Sequence, residues 1–276
     1  MPTGHGKRSL SLFVLYVSLI LITVTFGLRV PYVQSHYHAL AVIQFAGICL
    51  AGWRVGAWAI RDETVERRRL AVAGAFLVTP WALFSFLAGF GRPDQANHAE
   101  NLLRYQVLLL SAMAIGFGMV VLHAALSAAG ETFYSVMGFG AMILATPLYL
   151  VWAAILIEAH HARLAGSAEV LAGIPSLVEM SDVLLFFGGV LTYLATAAFA
   201  AALKRAQWLG RPASRAFVTL SFFAVLCLVF RGMQFPDPKA VFEHWYTIPG
   251  YVAGIPAIPW IMPFLLGAVL LRRAGE

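Results

Sequence analysis

The sequence is poor in charged residues, which make up only 12% of its 276 positions. Soluble domains carry about 25% charged residues, so half that fraction is typical of a chain that lies largely in lipid. Hydrophobic residues account for 61% of the chain, and its mean hydropathy is +0.80. This composition argues against an ordinary soluble domain.

Cysteine and the familiar catalytic motifs are also scarce. Cys49 and Cys227 are the only cysteines, and both lie in the middle of apolar stretches. The chain therefore has neither a disulfide framework nor a thiolate cluster for a metal. The spacings HExxH, HxxxH and CxxC are absent, as are a phosphate-binding loop and a nucleophile–base pair. No motif assigns an enzymatic activity.

Acidic residues are missing from the deep parts of the apolar stretches. Proton-coupled and sodium-coupled transporters usually need a buried carboxylate that changes state, so this absence argues against such a transporter. Arg54 alone brings a full charge into the interior, with the neutral His123 at a similar depth on another stretch. We expect Arg54 to extend its side chain to the membrane surface.

Long apolar stretches dominate what is present. Eight of them approach the roughly 20 residues that a helix needs to cross a bilayer. They cover residues 9–28, 39–60, 70–90, 105–128, 133–158, 182–203, 215–233 and 249–271. We predict an all-α, polytopic transmembrane helix bundle of about eight spans, which forms a single integral-membrane domain over residues 1–276. The expected surroundings are the lipid bilayer.

Positive charges are distributed unevenly between the two ends of the predicted spans. Twelve lysines and arginines fall on the side that holds both termini, and six fall on the opposite side. The positive-inside rule therefore predicts a cell (inner) membrane protein with both termini in the cytoplasm. Because the basic residues lie in short segments between spans, they do not indicate nucleic-acid binding. The twelve are Lys7, Arg8, Arg61, Arg67, Arg68, Arg69, Lys204, Arg205, Arg211, Arg215, Arg272 and Arg273.

Histidine is concentrated on the opposite, outer side, together with the carboxylate of Glu158. Six of the eight histidines lie there, namely His36, His38, His98, His160, His161 and His244. Neutral imidazole is a good ligand for zinc, copper and haem iron, and a carboxylate can be a further ligand. These seven residues form a candidate metal or haem site. The alternative interpretation is that the histidines bind headgroups, backbone carbonyls and water.

Backbone geometry limits how these histidines combine. His160 and His161 point about 100° apart on a helix, so only one of them is expected at a shared site. His36 and His38 share a face if their segment is extended. We expect one or two histidines from the end of the first span, one from the end of the fifth, Glu158, and a histidine that follows a Pro-Asp turn.

The outer ends of the odd-numbered spans suggest an internal repeat. In each half of the chain, a histidine pair is followed by a Pro-Asp turn and then by a further histidine. Removal of a predicted 19-residue loop, Leu164 to Asp182, makes the two spacings nearly equal. The pattern predicts tandem four-helix units at 9–129 and 133–273, and coincidence is the alternative.

Prolines interrupt the outer half of the last span, at Pro249, Pro256, Pro259 and Pro263. Interior prolines remove a backbone donor and clash with the preceding turn, so we predict a kinked segment that packs against neighbours or lines a cavity. Three functions compete at this stage. They are a metal or haem protein for redox chemistry or metal handling, a permease for a small neutral or lipid-like molecule, and a non-catalytic subunit or scaffold that binds other membrane subunits.

Overall fold

The computed structural model describes residues 3–25, 34–90, 93, 96–166, 168–233 and 249–276. These residues form a bundle of helices, and no strand occurs among them. The prediction of an all-α helical bundle is confirmed.

The α-helices in chain order are α1 (Thr3–Thr25), α2 (Gln34–Val55), α3 (Val65–Phe84), α4 (His98–Ala128), α5 (Phe133–Ala165), α6 (Ala168–Arg205), α7 (Arg211–Met233), α8 (Pro249–Gly254) and α9 (Ala257–Gly275). Two short 3-10 helices, Ala57–Arg61 and Ser85–Leu87, follow α2 and α3. Seven segments of this bundle are long and apolar enough to cross a membrane. They lie in α2 to α7 and in α9, whereas the apolar part of α1, Arg8–Thr23, is shorter.

The stretch predicted as a long loop between the fifth and sixth spans is largely helical. Helix α5 continues to Ala165 and α6 begins at Ala168, so the loop from Leu164 to Asp182 is a wrong prediction. Gly173 and Pro175 suggested a loop, but Val170, Leu171 and Ile174 recur at helical spacing. That periodicity is the signal that the sequence interpretation overlooked.

The predicted break in the last span is confirmed. Helix α8 ends at Gly254, and α9 begins at Ala257 immediately after Pro256. The side chains next to the prolines of α9 pack into the bundle, since Trp260 and Phe264 are fully buried.

Aromatic side chains of α3, α5 and α9 form the centre of the bundle. The ring of Trp260 lies 5.2 Å from that of Tyr149 and 5.9 Å from that of Phe84. The rings of Trp81 and Phe264 are 5.6 Å apart. In lipid, close packing of this kind rather than exclusion of water holds helices together. Helix α9 therefore lies at the centre of the fold.

The start of α1 and the end of α9 lie at the same end of the bundle, which we call the terminal end. Arg8 donates a hydrogen bond to the carbonyl oxygen of Gly275 (2.5 Å), and Arg67 donates one to that of Ala274 (3.0 Å). These carbonyls belong to the last turn of α9, where a helix lacks internal donors and favours cations. The opposite end, where α3 ends and α4 begins, is called the distal end.

Asp62 organises the turn before α3 at the terminal end. Its carboxylate accepts hydrogen bonds from the N–H of Thr64 and from Arg67, both at 2.9 Å. The Thr64 N–H is the main reason that the pKa of Asp62 lies below its usual value, and the charge of Arg67 adds to the effect. Asp62 therefore holds Arg67 where it reaches the end of α9.

Glycines let α9 approach its neighbours closely. A Cβ atom added at Gly267 would lie 2.8 Å from the Cβ of Leu77 and 3.0 Å from the carbonyl oxygen of Gly74. At the terminal end, a Cβ at Gly56 would lie 1.7 Å from the carbonyl oxygen of Leu271. These contacts leave no room for a side chain, so Gly267 sets the distance between α9 and α3, and Gly56 sets that between α9 and the turn after α2.

The two interior polar residues singled out from the sequence have separate environments. Arg54 is exposed in the last turn of α2, as expected for a side chain that extends to the membrane surface. His123 stacks on Phe139, with ring centroids 4.7 Å apart and an angle of 19° between the planes.

An ion pair joins α6, α7 and α8 near the distal end. The guanidinium of Arg231 donates to both carboxylate oxygens of Asp182 at 2.6 Å and lies 4.8 Å from the ring centre of Tyr251. The Arg231 side chain is only 7% exposed, whereas that of Asp182 is 41% exposed. A guanidinium buried to this extent depends strongly on its carboxylate.

Replacement of Asp182 with asparagine is expected to lower the free energy of unfolding by about 1–2 kcal/mol, because the buried Arg231 loses its ionic partner. The measurement is the thermal midpoint of the detergent-solubilised protein. Glu276→Gln is the matched control, because it breaks an exposed ion pair with Arg272. The side chain of Arg272 is 63% exposed and that of Glu276 is 53% exposed. Equal midpoints for the two variants would contradict the prediction.

Candidate functional site

A capping box fixes the position of His98, the first residue of α4. The side chain of Asn97 accepts a hydrogen bond from the N–H of Glu100 (2.8 Å), and the Glu100 carboxylate accepts one from the N–H of Asn97 (3.1 Å). This reciprocal arrangement satisfies two donors near the helix start. It determines where α4 begins and so holds His98 at the distal end.

A buried polar pair on the next turn of α4 ties down the loop before it. The amide group of Asn101 donates to the carbonyl oxygen of Pro93 (2.8 Å), and its side-chain oxygen accepts a hydrogen bond from Arg104. Arg104 is 4% exposed and lies 6.0 Å from the ring centre of Phe90. Because a buried charge is costly without hydrogen bonds, Asn101 and Arg104 form one structural unit.

His160 is held in a fixed orientation near the distal end of α5. Its side chain is 7% exposed, and its ring stacks on that of Tyr105 with centroids 5.5 Å apart and an angle of 17° between the planes. Tyr105 in turn packs edge-on against Trp152 at 5.6 Å. Aromatic neighbours on this side restrict the imidazole, so it is oriented before any ligand arrives.

The imidazoles of His98 and His160 meet across the contact between α4 and α5. Their Nδ1 atoms are 3.2 Å apart. With metal–nitrogen bonds of about 2.0–2.1 Å, two nitrogens at that separation subtend roughly 100° at a shared ion, close to a tetrahedral angle. Without an ion, the same distance suits a hydrogen bond in which one Nδ1 donates and the other accepts.

Comparison with protein-family models, curated proteins and solved structures found no match to this chain.

The other predicted ligands do not join this pair within the described part of the chain. His38, Glu158 and His161 are exposed on the surface of their helices. His36 and His38 both belong to α2, so the condition under which they would share a face, an extended segment, is not met. The side chain of His36 and the whole of His244 lie outside the described residues. Among the residues that the structure describes, no group of three or more His, Cys, Asp or Glu side chains could hold a metal ion.

Several residues of the site were not predicted as parts of it. Asn101, Arg104 and Tyr105 were not among the candidate ligands, and Arg104 was counted only among the six basic residues of the outer side. The available signal was the spacing of His98, Asn101 and Tyr105, which follow one another at i, i+3 and i+7 on one helix face. The sequence Asn97-His-Ala-Glu100 is also a recognisable capping box before an apolar run.

Positive charge surrounds the histidine pair. Arg104 and Arg163 both lie close enough to His160 to act on it electrostatically. A cation at the pair would be repelled by these guanidinium groups unless anionic ligands reduced its net charge. Any ion held here therefore favours hydroxide, chloride or a carboxylate in its remaining coordination positions.

The lengths of α4 and α5 favour a position of the pair near the membrane surface rather than in the hydrocarbon. Helices α4 and α5 have 31 and 33 residues. At about 1.5 Å per residue they are roughly 45–50 Å long, whereas the hydrocarbon layer is about 30 Å thick. A pair at the shared distal end lies at the headgroup level or beyond it. His98 is exposed, so ions in water can reach the site.

Proposed function

We propose that this protein is a multi-pass membrane protein that binds one transition-metal ion at the distal ends of α4 and α5. The observation that carries the proposal is the 3.2 Å separation of the Nδ1 atoms of His98 and His160. His98 supplies the accessible ligand and His160 the oriented one. Tyr105 and Trp152 keep the ring of His160 in place.

The ligand chemistry favours particular ions. Imidazole nitrogen suits zinc, copper, nickel and iron, whereas magnesium and calcium prefer oxygen ligands. Two axial histidines of a haem lie on opposite faces of the iron, about two metal–nitrogen bond lengths or ~4 Å apart. The Nδ1 atoms of His98 and His160 are closer than that, which favours a bare ion over haem.

Two protein ligands leave coordination positions open. Structural zinc sites are closed by four protein ligands, whereas sites that exchange or react keep a position for water or substrate. An open site near the membrane surface suits metal handling or redox chemistry better than a purely structural role. The bias of basic residues toward the terminal end supports an orientation in which the pair faces away from the cytoplasm.

The test is a Cu²⁺ titration of the protein purified in detergent without a polyhistidine tag. We expect one equivalent to bind, with nitrogen hyperfine coupling in the electron paramagnetic resonance spectrum from histidine ligands. The double variant H98A/H160A is expected to bind none, and Mg²⁺ is the control ion. Failure of the wild type to bind Cu²⁺ would leave only the hydrogen bond between the two histidines and would overturn the proposal.

A further inference from the structure

A cavity opens at the terminal end of the bundle, between the end of α6 and the start of α7. Its volume is about 410 Å³, and residues 204–205 and 207–211 line it. Three of these residues, Lys204, Arg205 and Arg211, are cationic. We call this cavity the basic pocket. It lies at the opposite end of the spans from the histidine pair, so its chemistry is independent of the metal site.

The wall of the basic pocket is built by the way in which α6 ends. The N–H of Trp208 donates to the carbonyl oxygen of Leu203 (2.8 Å), and the N–H of Gln207 donates to that of Lys204 (3.1 Å). This pair of hydrogen bonds is the Schellman motif, with Gln207 in the left-handed conformation (φ 59°) where glycine is usual. The chain thereby reverses tightly and brings Lys204 and Arg211 to one opening.

Two of the three cations are not neutralised within the described part of the chain. Arg205 lies 3.4 Å from the carboxylate of Glu131 and 5.5 Å from the ring centre of Tyr134. Neither Lys204 nor Arg211 has an ion pair with any residue that the structure describes. Both side chains are exposed. The pocket therefore carries a net positive charge.

Two apolar residues, Trp208 and Leu209, also line the basic pocket, and we call them its floor. Trp208 and Leu209 are buried, and the guanidinium of Arg273 lies 5.4 Å from the ring centre of Trp208. Helix α7 begins at Arg211, so the N–H groups of its first turn also lie at the rim. An apolar floor below a cationic rim matches an amphipathic anion better than a hydrated inorganic ion.

We propose that the basic pocket binds a phosphate group, and that the headgroup of an anionic phospholipid supplies it. Basic pockets where transmembrane helices leave the bilayer are suited to such headgroups. Here the ammonium of Lys204 and the guanidinium of Arg211 can both donate to the phosphate oxygens. Lys204 and Arg211 contact the phosphate, while Trp208 packs beneath the glycerol portion. Free phosphate has the same chemistry but cannot use the apolar floor.

The experiment uses the full chain in nanodiscs and in neutral detergent. Bound phosphatidylglycerol is counted by native mass spectrometry against phosphatidylcholine, and inorganic phosphate is titrated in a separate arm. The variant K204Q/R211Q is expected to lower phosphatidylglycerol affinity at least about tenfold. R215Q, which removes one positive charge instead of two, lies one turn further along α7 and outside the pocket, and is expected to change it less than about twofold.

Each outcome decides the matter. Selective loss of phosphatidylglycerol in K204Q/R211Q, with weak binding of inorganic phosphate, supports the lipid headgroup. Binding of inorganic phosphate that K204Q/R211Q abolishes, without any preference for phosphatidylglycerol, keeps the phosphate site but assigns it a soluble ligand. No preference in the wild type and no phosphate binding, or equal losses in K204Q/R211Q and R215Q, would overturn the proposal. Thermal midpoints of all variants verify that they remain folded.

Discussion

Replacement of His160 with alanine is expected to lower Cu²⁺ affinity at least about a hundredfold, whereas His161→Ala is expected to change it less than about twofold. Loss of a residue that only supports a metal ligand typically costs 10–100-fold in affinity, so loss of a ligand itself should cost no less. The two histidines are neighbours in sequence, but His160 is buried against Tyr105 and His161 is exposed. Because both replaced residues are histidines, any difference in Cu²⁺ affinity reports the position of the side chain and not its chemistry.

Isothermal titration calorimetry with Cu²⁺ measures both affinities, and His98→Ala provides a parallel variant that should lose as much as His160→Ala. His160→Gln preserves most of the side-chain volume beside Tyr105 and separates loss of the ligand from loss of packing. Equal affinities for the His160→Ala and His161→Ala variants would mean that copper binds at exposed surface histidines. That result would remove the pair as the metal site.

Gly267→Ala is expected to destabilise the bundle by about 2–3 kcal/mol, because an added methyl group collides with α3. The new Cβ atom would lie 2.8 Å from the Cβ of Leu77 and 3.0 Å from the carbonyl oxygen of Gly74. Neither atom can move without displacing the backbone of α3. The strain therefore falls on the α3–α9 contact itself.

Gly140→Ala is the matched control for this substitution. Gly140 is also helical, and a Cβ added there meets nothing within 4 Å. The alanine should raise stability by up to about 1 kcal/mol through its better helix propensity. Thermal unfolding of the two variants in the same detergent gives the comparison. A midpoint for Gly267→Ala as high as that for Gly140→Ala would show that α3 and α9 are not in close contact.

Much of the fold could be predicted from simple patterns. Apolar runs located the helices to within several residues because lipid imposes length and composition together. The four prolines of the last span predicted an interruption, and one occurs at Pro256, between α8 and α9. The first part of α6 was missed because Gly173 and Pro175 were given more weight than the helical recurrence of Val170 and Ile174.

The candidate site was harder to predict. The concentration of histidines located its region, and the 100° rule correctly separated His160 from His161. His98 was one of the two histidines expected to follow a Pro-Asp turn, but the sequence could not decide between His98 and His244, because His98 meets His160 only through the packing of α4 on α5. The sequence interpretation also expected ligands from the end of the first span. The sequence indicates which helix ends lie on the same side of the membrane. Which of those ends are in contact depends on how the helices pack.

The central position of α9 has a consequence for biosynthesis. Ribosomes deliver α9 after every other described helix, yet its contacts reach far back along the chain. Trp81 donates to the carbonyl oxygen of Trp260 across 179 positions, Arg67 reaches Ala274 across 207, and Arg8 reaches Gly275 across 267. Until α9 has been inserted, the face of α3 around Gly74 has only lipid or an insertion chaperone to cover it. Assembly of the core is therefore delayed until α9 has been synthesised, and nascent chains that stop before α9 should be substrates for membrane quality-control proteases.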